Sequence, residues 1–278
     1  LVRREFPERF YNVGIAEANM VGIAAGLAAS GYIPFVTSLG SFLFCNAFDQ
    51  MRLQVAISKE NVKFGGSHSG LSTNREGPTA MGIEDLALPA ALGFVVLAPC
   101  DPASMIKAVR AAVLHKGPVY VRSSREPHPH IYSQDHCPFE IGRANLLRAG
   151  RDVTLVGCGL MVPVCLDAAA YLAEEGITAG VLDMHTVCPV DEDALARAAQ
   201  ETGAIVTAEE HLLAGGLGAQ VALAVSRRCP VPVRTVALEG YTGSGSVEEL
   251  MERHHLTAHD VVAAAKAAIA AKKGGRGC

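Results

Sequence analysis

The chain has 278 residues, of which 50% are hydrophobic, with 28 glycines and 14 prolines. A chain of this size can bury a large core and is long enough for two domains. Its formal net charge of −4 argues against nucleic acid or an acidic membrane surface as a partner.

The cysteines and the apolar runs indicate the compartment. Eight cysteines are scattered without a Cys-x-x-Cys pair, a pattern typical of reduced thiols rather than of disulfides or zinc sites. No apolar run approaches the roughly 18 residues of a membrane span, and the chain does not open with a basic segment that leads into an apolar one. We therefore expect a cytoplasmic protein.

Apolar runs of strand length alternate with helical stretches through the first half. Asp101 followed by Pro102 marks a helix start, because it places an N-cap residue before a proline at the first helical position. Alternation of this kind predicts a parallel sheet covered by helices on both faces. The predicted strands are 33–38, 61–66, 94–99 and 118–123, and the predicted helices are 41–58, 80–92 and 102–115.

The stretch from Ser124 to Phe139 interrupts the alternation with three prolines among polar residues, which is typical of a linker. Beyond it the pattern resumes, with strands at 153–157, 178–182, 204–208 and 233–238 and helices at 162–175, 191–201, 216–226, 247–254 and 258–271. We predict an α/β fold of two parallel-sheet domains, 1–124 and 139–278, joined by a linker at 125–138. The sequence begins at Leu1 rather than at Met, which leaves open whether the first domain lacks its N-terminal strand.

Glu17 is the most informative single residue. The ten residues Val21 to Ser30 that follow it carry no charge, and small or apolar side chains surround the implied helix, which predicts a helix buried on all sides. A carboxyl at the mouth of such a helix is costly to bury without a partner, and carboxyls of this kind concentrate at active sites. An exposed glutamate that complements the helix dipole is the alternative.

Other polar residues follow predicted strands, where α/β sheets place their ligand-binding loops. His68 lies in such a loop and is either a catalytic or phosphate-contacting imidazole or a histidine satisfied by the backbone. Arg122 and Arg125 follow another strand and could clamp a phosphate, although each one singly is more typical of a surface arginine.

Three further groups favour a structural interpretation. His128, His130, His136 and Cys137 lack helical spacing and lie among prolines, so they indicate linker rather than a metal site, and we expect no metal ligands in this chain. Gly215, Gly216 and Gly218 could hold an anion at a helix start, but they lack the dinucleotide spacing and indicate helix packing. Phe42, Phe44 and Phe48 have a spacing typical of core.

The order of several motifs resembles the transketolase family. The pyrimidine-binding domain of that family is resembled by Asn12–Met20, Ala47–Arg52, Gly66–Gly70, Glu76–Thr79 and Ile83–Ala87, and its C-terminal domain by Phe139–Ala144, Leu182–Asp191, Thr207–His211 and Gly215–Gly218. Family members of one chain also carry a Gly-Asp-Gly motif, followed by Asn, that holds Mg²⁺ and the diphosphate. That motif is absent from this sequence. The resemblance therefore implies the C-terminal subunit of a split, thiamine-diphosphate-dependent transketolase, active only with an N-terminal partner subunit that holds the Mg²⁺ site, in a heterotetramer with two copies of each chain.

The resemblance also implies roles for individual residues. Glu17 would hydrogen-bond the aminopyrimidine ring nitrogen of thiamine diphosphate and so promote proton removal from the thiazolium carbon, which then takes a two-carbon ketol unit from a ketose and gives it to an aldose. His68 would contact substrate hydroxyl or phosphate oxygens, and Arg125 would bind the phosphate. Phe42 would stack on the pyrimidine, with Phe44 or Leu43 as alternates.

The loop from Thr73 to Ala80 departs from the family pattern Gly-Glu-Asp-Gly-Pro-Thr-His. Glu76 fills the position of a shorter substrate-reading carboxylate, and Ala80 replaces a polar residue. Because a lost hydrogen bond to a sugar hydroxyl can shift discrimination strongly, we expect an altered ketose as substrate. The alternatives are a 1-deoxyxylulose-5-phosphate synthase, the beta subunit of a 2-oxo acid decarboxylase, and a non-catalytic interaction subunit.

Overall fold

A computed structural model describes residues 2–274. The strands are β1 (Phe35–Leu39), β2 (Lys63–Ser67), β3 (Val95–Leu97), β4 (Val119–Arg122), β5 (Asn145–Arg148), β6 (Val153–Gly157), β7 (Ala179–Asp183), β8 (Thr186–Cys188), β9 (Ile205–Leu212) and β10 (Val233–Leu238). The α-helices are α1 (Val2–Glu5), α2 (Glu17–Ala29), α3 (Gly40–Gln50), α4 (Ala87–Ala91), α5 (Pro102–Leu114), α6 (Met161–Glu174), α7 (Glu192–Thr202), α8 (Leu217–Arg228), α9 (Val247–Arg253) and α10 (Ala258–Gly274). Shorter 3₁₀ turns span Pro7–Arg9 and Gly70–Glu76, and a π-helical stretch spans Met51–Ala56.

The strands form two sheets, in the orders β1-β2-β4-β3-β8 and β10-β9-β6-β7-β5. Within each sheet the pairs are parallel except at one edge, where β8 runs antiparallel to β3 and β5 runs antiparallel to β7. The predicted α/β fold with two sheets is confirmed. The antiparallel edge strands are additions to the predicted parallel sheets, and both sequence segments were missed because each is only three or four residues long.

The sheets do not divide the chain cleanly at the linker. Strand β8, at 186–188, pairs with β3 of the first sheet although its neighbours in sequence belong to the second sheet. The backbone of the linker is held at Ile131 and Tyr132, whose N–H groups donate to Asp101 Oδ2 at 3.0 and 2.8 Å. The domain limits at 124 and 139 stay a prediction.

Most predicted elements lie where the sequence places them. The Asp101 cap is present, since its side chain accepts the Ser104 N–H at 2.8 Å in a capping box. The predicted helix at 80–92 is wrong over its first half, because the structure has a helix only at Ala87–Ala91. Residues 80–86 instead form a loop whose Gly82 exchanges backbone hydrogen bonds with His68 and Gly70.

Helix α2 is not buried on all sides within this chain, which corrects the expectation for the segment after Glu17. Val21, Ala24, Ala25 and Ala28 face the core, but Ile23 is 39% exposed. The exposed side has the same apolar composition as the buried side, so the pattern along the sequence could not distinguish one buried face from burial all round. None of the helices in residues 2–274 has the length and apolarity needed to cross a membrane.

Candidate active site

Glu17 begins α2 and lies beside the end of β1. Its Oε1 accepts a hydrogen bond from Ser38 Oγ at 3.0 Å, and the side chain is partly buried. Ser38 precedes the last residue of β1 and is paired in the sheet with Gly66 of β2. The carboxyl is therefore held at the carboxyl edge of the first sheet, the edge at which α/β sheets bind ligands.

His68 follows β2 at the same edge. Its backbone has φ of +56°, an unusual conformation for a residue with a side chain, and its Nδ1 lies 3.0 Å from Ser67 Oγ. Strand β2 is paired with β1 up to Ser67 and Leu39. Since the two strands end side by side, the sequence-predicted residues Glu17 and His68 lie along one edge, and the imidazole is oriented by a neighbouring hydroxyl.

The start of α3 provides the three candidates for the residue that covers the pyrimidine, two of them buried and one partly exposed. Phe44 is 1% exposed, and its ring meets the ring of Tyr120 edge to face with centroids 4.7 Å apart. Leu43 is fully buried. Phe42 is partly exposed and so keeps ring surface available for another molecule.

Glu76 lies between the two other substrate-binding candidates, Arg125 and His68. Its Oε1 lies 2.6 Å from Arg125 Nη1 and its Oε2 lies 4.0 Å from His68 Nε2, with all three side chains partly exposed. The structure therefore brings together the three residues expected to contact substrate. It also shows that the Arg125 guanidinium already has an anionic partner within the chain.

The 70–76 loop reaches this cluster through strained backbone. Asn74 has φ of +50° and ψ of −114°, at the position where the family pattern has Gly. Its side chain donates from Nδ2 to Glu126 Oε1 at 2.6 Å. A short polar side chain tolerates positive φ better than most others, and here it also ties the loop to the start of the linker.

Arg122 is not a phosphate clamp, because protein groups surround its guanidinium. The side chain is 4% exposed, with Nε 2.9 Å from Asp85 Oδ2 and Nη1 3.3 Å from Glu210 Oε1. Asp85 and Glu210 raise the pKa of Arg122 well above its usual value despite the burial. Burial in turn raises the pKa of Glu210 to about 7, since Arg122 is shared between two carboxyls and offsets only part of the desolvation.

The glycine-rich start of α8 is occupied from within. Glu209 accepts the N–H groups of Leu217 and Gly218 at 2.6 and 2.7 Å, and a Cβ at Gly216 would overlap its carboxyl. The glycines therefore have the predicted structural role, because the amides that could bind an external anion already donate to the Glu209 carboxyl.

In the linker, the Nδ1 atom of His128 lies 2.9 Å from the backbone oxygen of Cys100.

Sequence reasoning missed Asp85, Tyr120 and Glu210. The available signal was the presence of charged residues within otherwise apolar strand patterns, as in Thr207-Ala208-Glu209-Glu210-His211. Charged residues at such positions are buried and need partners. The identity of the partners was not accessible, because Glu210 lies 88 positions from Arg122.

Family comparison assigns both halves of the chain. Residues 2–129 match the family described as "Transketolase, pyrimidine binding domain", and residues 142–261 match the family described as "Transketolase, C-terminal domain". Together these matches cover most of the chain.

Individual relatives are also subunits of split enzymes. The chain is 43% identical to the 6-deoxy-6-sulfo-D-fructose transketolase subunit SqwH of a Clostridium strain, over 94% of this chain and 82% of the relative. It is 39% identical to an apulose-4-phosphate transketolase subunit of Phocaeicola vulgatus, over 84% of this chain and 75% of the relative.

A solved structure agrees over nearly the whole chain. The protein described as a split gene transketolase in an inactive beta4 tetramer superimposes with a TM-score of 0.90 at 41% identity, covering 98% of this chain and 87% of that one. Both sequence and structure thus confirm the resemblance, and the chain belongs to the transketolase family, among the members that carry the pyrimidine-binding and C-terminal domains as a separate subunit.

Proposed function

We propose that this chain forms the pyrimidine side of a thiamine-diphosphate site and catalyses two-carbon ketol transfer from a ketose to an aldose together with an N-terminal subunit. The observation that carries the proposal is the position of Glu17. Its carboxyl is fixed by Ser38 at the same sheet edge as the cluster of His68, Glu76 and Arg125. An acid at the same sheet edge as a group of residues that could bind a sugar suits this chemistry.

The residues at this edge fit the pyrimidine of the cofactor. Ser38 donates to Glu17 Oε1, and no residue between 2 and 272 donates to Oε2, so one oxygen remains to meet a ring nitrogen. Phe42 keeps exposed ring surface, whereas Phe44 and Leu43 are enclosed in the core. When bound, thiamine diphosphate supplies a nucleophilic carbon that carries the ketol unit.

Four residues of the chain have defined roles in this proposal. Glu17 shares a proton with the pyrimidine nitrogen, and partial burial strengthens that hydrogen bond. Phe42 covers a face of the ring. The imidazole of His68, oriented by Ser67, hydrogen-bonds substrate oxygens, and Arg125 attracts the anionic end of the sugar.

The N-terminal subunit supplies what this chain lacks. The sequence has no Gly-Asp-Gly motif, so we place Mg²⁺ and the diphosphate site on the partner, in a complex of two copies of each chain. The segment before Glu17 favours such a partner, since Ile15 is fully exposed and Tyr11 is 67% exposed. One relative's beta chain forms an inactive tetramer by itself, as a subunit with half of a catalytic site would.

The substrate is proposed to be a ketose with an anionic terminal group. Two relatives are named for a sulfonated and a phosphorylated sugar, and Arg125 is the cation of the cluster. Its ion pair with Glu76 must open or widen to admit an anion, which an ordinary pentose phosphate would have to drive. The opening of this pair is needed for any anionic sugar, so the altered ketose is supported instead by the apolar side chain of Ala80 and by the longer carboxylate of Glu76.

Reconstitution tests the proposal. The chain is purified with the product of the neighbouring reading frame and titrated with thiamine diphosphate with and without Mg²⁺. We expect clear binding by the complex and no measurable binding by the chain alone, because the site is divided between subunits. Glu17→Gln should lower turnover about 100-fold or more, since general acid–base groups contribute 10²–10⁴-fold.

Glu174→Gln, an exposed change on α6, is the matched control and should keep full activity. Tight cofactor binding by the isolated chain would contradict the divided site. Turnover of xylulose 5-phosphate with ribose 5-phosphate at the rate of an ordinary transketolase would contradict the proposal of an altered ketose substrate, but not the proposal of ketol transfer.

A further inference from the structure

Glu210 of β9 lies directly beneath the 70–76 loop, although it belongs to the second sheet. Its side chain is fully enclosed, and its Oε2 accepts the N–H of Leu71 at 3.0 Å. The same carboxyl accepts from Arg122 Nη1 through Oε1, and the Glu210 backbone oxygen accepts from Arg122 Nη2 at 2.9 Å. A residue from the C-terminal half therefore contacts the backbone of the loop that carries Glu76.

The carboxyl of Glu210 lies so close to the backbone of residue 70 that only glycine fits there. Gly70 has φ of +65°, and a Cβ placed there would overlap the carboxyl of Glu210. A side chain at this position would be strained in its backbone and would also displace the carboxyl. The start of the loop thus rests on Glu210 without space between them.

Both sides of Gly70 connect to a single hydrogen-bond network. Ser69 Oγ lies 3.2 Å from Tyr120 OH, and Tyr120 OH donates to Asp85 Oδ2 at 2.6 Å. Asp85 Oδ2 accepts from Arg122 Nε at 2.9 Å. Since Arg122 donates to Glu210 and Glu210 accepts from Leu71, the network closes into a ring through the loop backbone, which restricts the loop from two directions.

The 70–76 loop connects this network to the candidate substrate residues. Thr73 Oγ1 donates to the backbone oxygen of His68 at 2.6 Å. Ser72 Oγ accepts the N–H of Arg125 at 3.0 Å, and Glu76 at the end of the loop pairs with the Arg125 guanidinium. A displacement of the loop would therefore move His68, Glu76 and Arg125 together.

We propose that Glu210 is a positioning residue through which the C-terminal half of the chain fixes the 70–76 loop and, with it, the substrate-binding geometry. The part that concerns substrate rests on the proposed function, whereas the ordering of the loop does not. Because only 2% of Glu210 is exposed and its carboxyl meets the Leu71 N–H, it acts through the loop backbone.

The chain offers a matched control in the adjacent residue. Glu209 is also fully buried, and burial raises its pKa to about 7, as it does for Glu210. Its carboxyl accepts two backbone N–H groups at the start of α8 rather than in the loop. In Glu210→Gln the amide can accept from Leu71 or from Arg122 but cannot accept from both, and in Glu209→Gln the same loss falls on α8.

Hydrogen exchange of the full chain tests the ordering without any catalytic assay. Glu210→Gln should speed amide exchange across 70–76 at least tenfold, because the NH2 group of the amide faces either the Leu71 N–H or the Arg122 guanidinium and breaks the network that holds the loop. Glu209→Gln should speed exchange at the start of α8 and leave the 70–76 loop as in the wild type. Unchanged exchange in the loop of Glu210→Gln, or equal loosening by Glu209→Gln, would overturn the proposal.

Steady-state kinetics of the reconstituted complex test the consequence for substrate. Glu210→Gln should raise KM for the ketose donor about tenfold and leave thiamine-diphosphate affinity unchanged, whereas Glu209→Gln should keep the wild-type KM. An equal loss of cofactor affinity in Glu210→Gln would indicate general unfolding and would overturn a positioning role.

Glu210→Asp provides a second variant if the glutamine form does not fold. It keeps the negative charge beside Arg122 but withdraws the carboxyl from Leu71, so it should loosen the 70–76 loop while the domains stay together. A rigid loop in this variant would overturn the proposal. If the complex transfers no ketol unit at all, the proposed function fails, and the exchange measurements still decide the role of Glu210.

Discussion

Phe42 and Phe44 lie two positions apart in α3 and differ in what their rings touch. Phe44 fills the core against Tyr120, whereas Phe42 is partly exposed. We expect Phe42→Ala to weaken thiamine-diphosphate binding by the complex roughly 5- to 100-fold, because stacking on an aromatic side chain is worth about 1–3 kcal/mol per base. Phe44→Ala should instead lower the free energy of unfolding by about 3–5 kcal/mol.

The two measurements are a cofactor titration of the complex and a urea unfolding curve of the chain, each made on both variants. The reverse outcome, with Phe44→Ala folding normally and losing the cofactor, would assign the stacking ring to Phe44. The two phenylalanines therefore differ in exposure, a difference that their types and their spacing on one helical turn do not reveal.

Strand β2 begins with a lysine whose side chain is buried rather than exposed to solvent. Lys63 is fully buried, and its Nζ donates to Asn61 Oδ1, His115 O and Gly117 O at 2.6–2.7 Å. Burial lowers the pKa of Lys63 to about 8. The ammonium therefore fixes the turn between α5 and β4 to the start of β2, at the end of the sheet opposite the candidate site.

We expect Lys63→Met to lower the free energy of unfolding by about 2–4 kcal/mol, because it removes three part-buried hydrogen bonds and leaves the backbone oxygens of His115 and Gly117 without this donor, while Asn61 Oδ1 still accepts the Gly117 N–H. Urea unfolding of the chain measures this effect. Lys116→Met, an exposed change in the same turn, is the control and should stay within about 0.5 kcal/mol of the wild type. Equal stabilities of the two variants would contradict a structural role for Lys63.

The elements also show what a sequence can and cannot predict. Strand Val153–Gly157 matches its prediction residue for residue, because a buried parallel strand is a short, mainly apolar run, and this one follows the polar pair Arg151-Asp152 and ends at a glycine. The 80–92 region has the composition of a helix, but its first half is used to pair Gly82 with the backbone around Ser69. Contacts between distant segments decide such regions, and periodicity carries no information about them.

The same distinction holds within the site. Glu17 and His68 could be predicted as site residues because each lies at a helix start or a strand end within a family motif, and Arg125 could be predicted because it follows a strand end. Glu210 could not be found in this way. Its contacts come from the packing of β9 against the 70–76 loop, which no local sequence pattern describes.

Three buried acids lie in strands of the second sheet, Asp183 in β7 and Glu209 and Glu210 in β9, and we expect them to dominate the pH dependence of stability near neutral pH. Burial raises the pKa values of Asp183, Glu209 and Glu210 to about 7 each. An acid whose pKa is raised on folding binds more protons in the folded state, so its stabilising contribution is present at low pH and is lost as the pH rises through about 7. Burial also lowers the pKa of His185 to about 4, which removes stability below about pH 6.5.

Between pH 6.5 and 7.5 the three acids act in one direction, so we expect stability to fall by on the order of 1–2 kcal/mol across this interval. Urea unfolding of the chain at the two pH values measures the change. Glu209→Gln should reduce the difference, because it removes one of the three titrating groups, whereas the exposed change Glu174→Gln should leave it as it is. A chain that is equally stable or more stable at pH 7.5 would show that these carboxyls stay ionised through compensation by Arg122 and the helix amides.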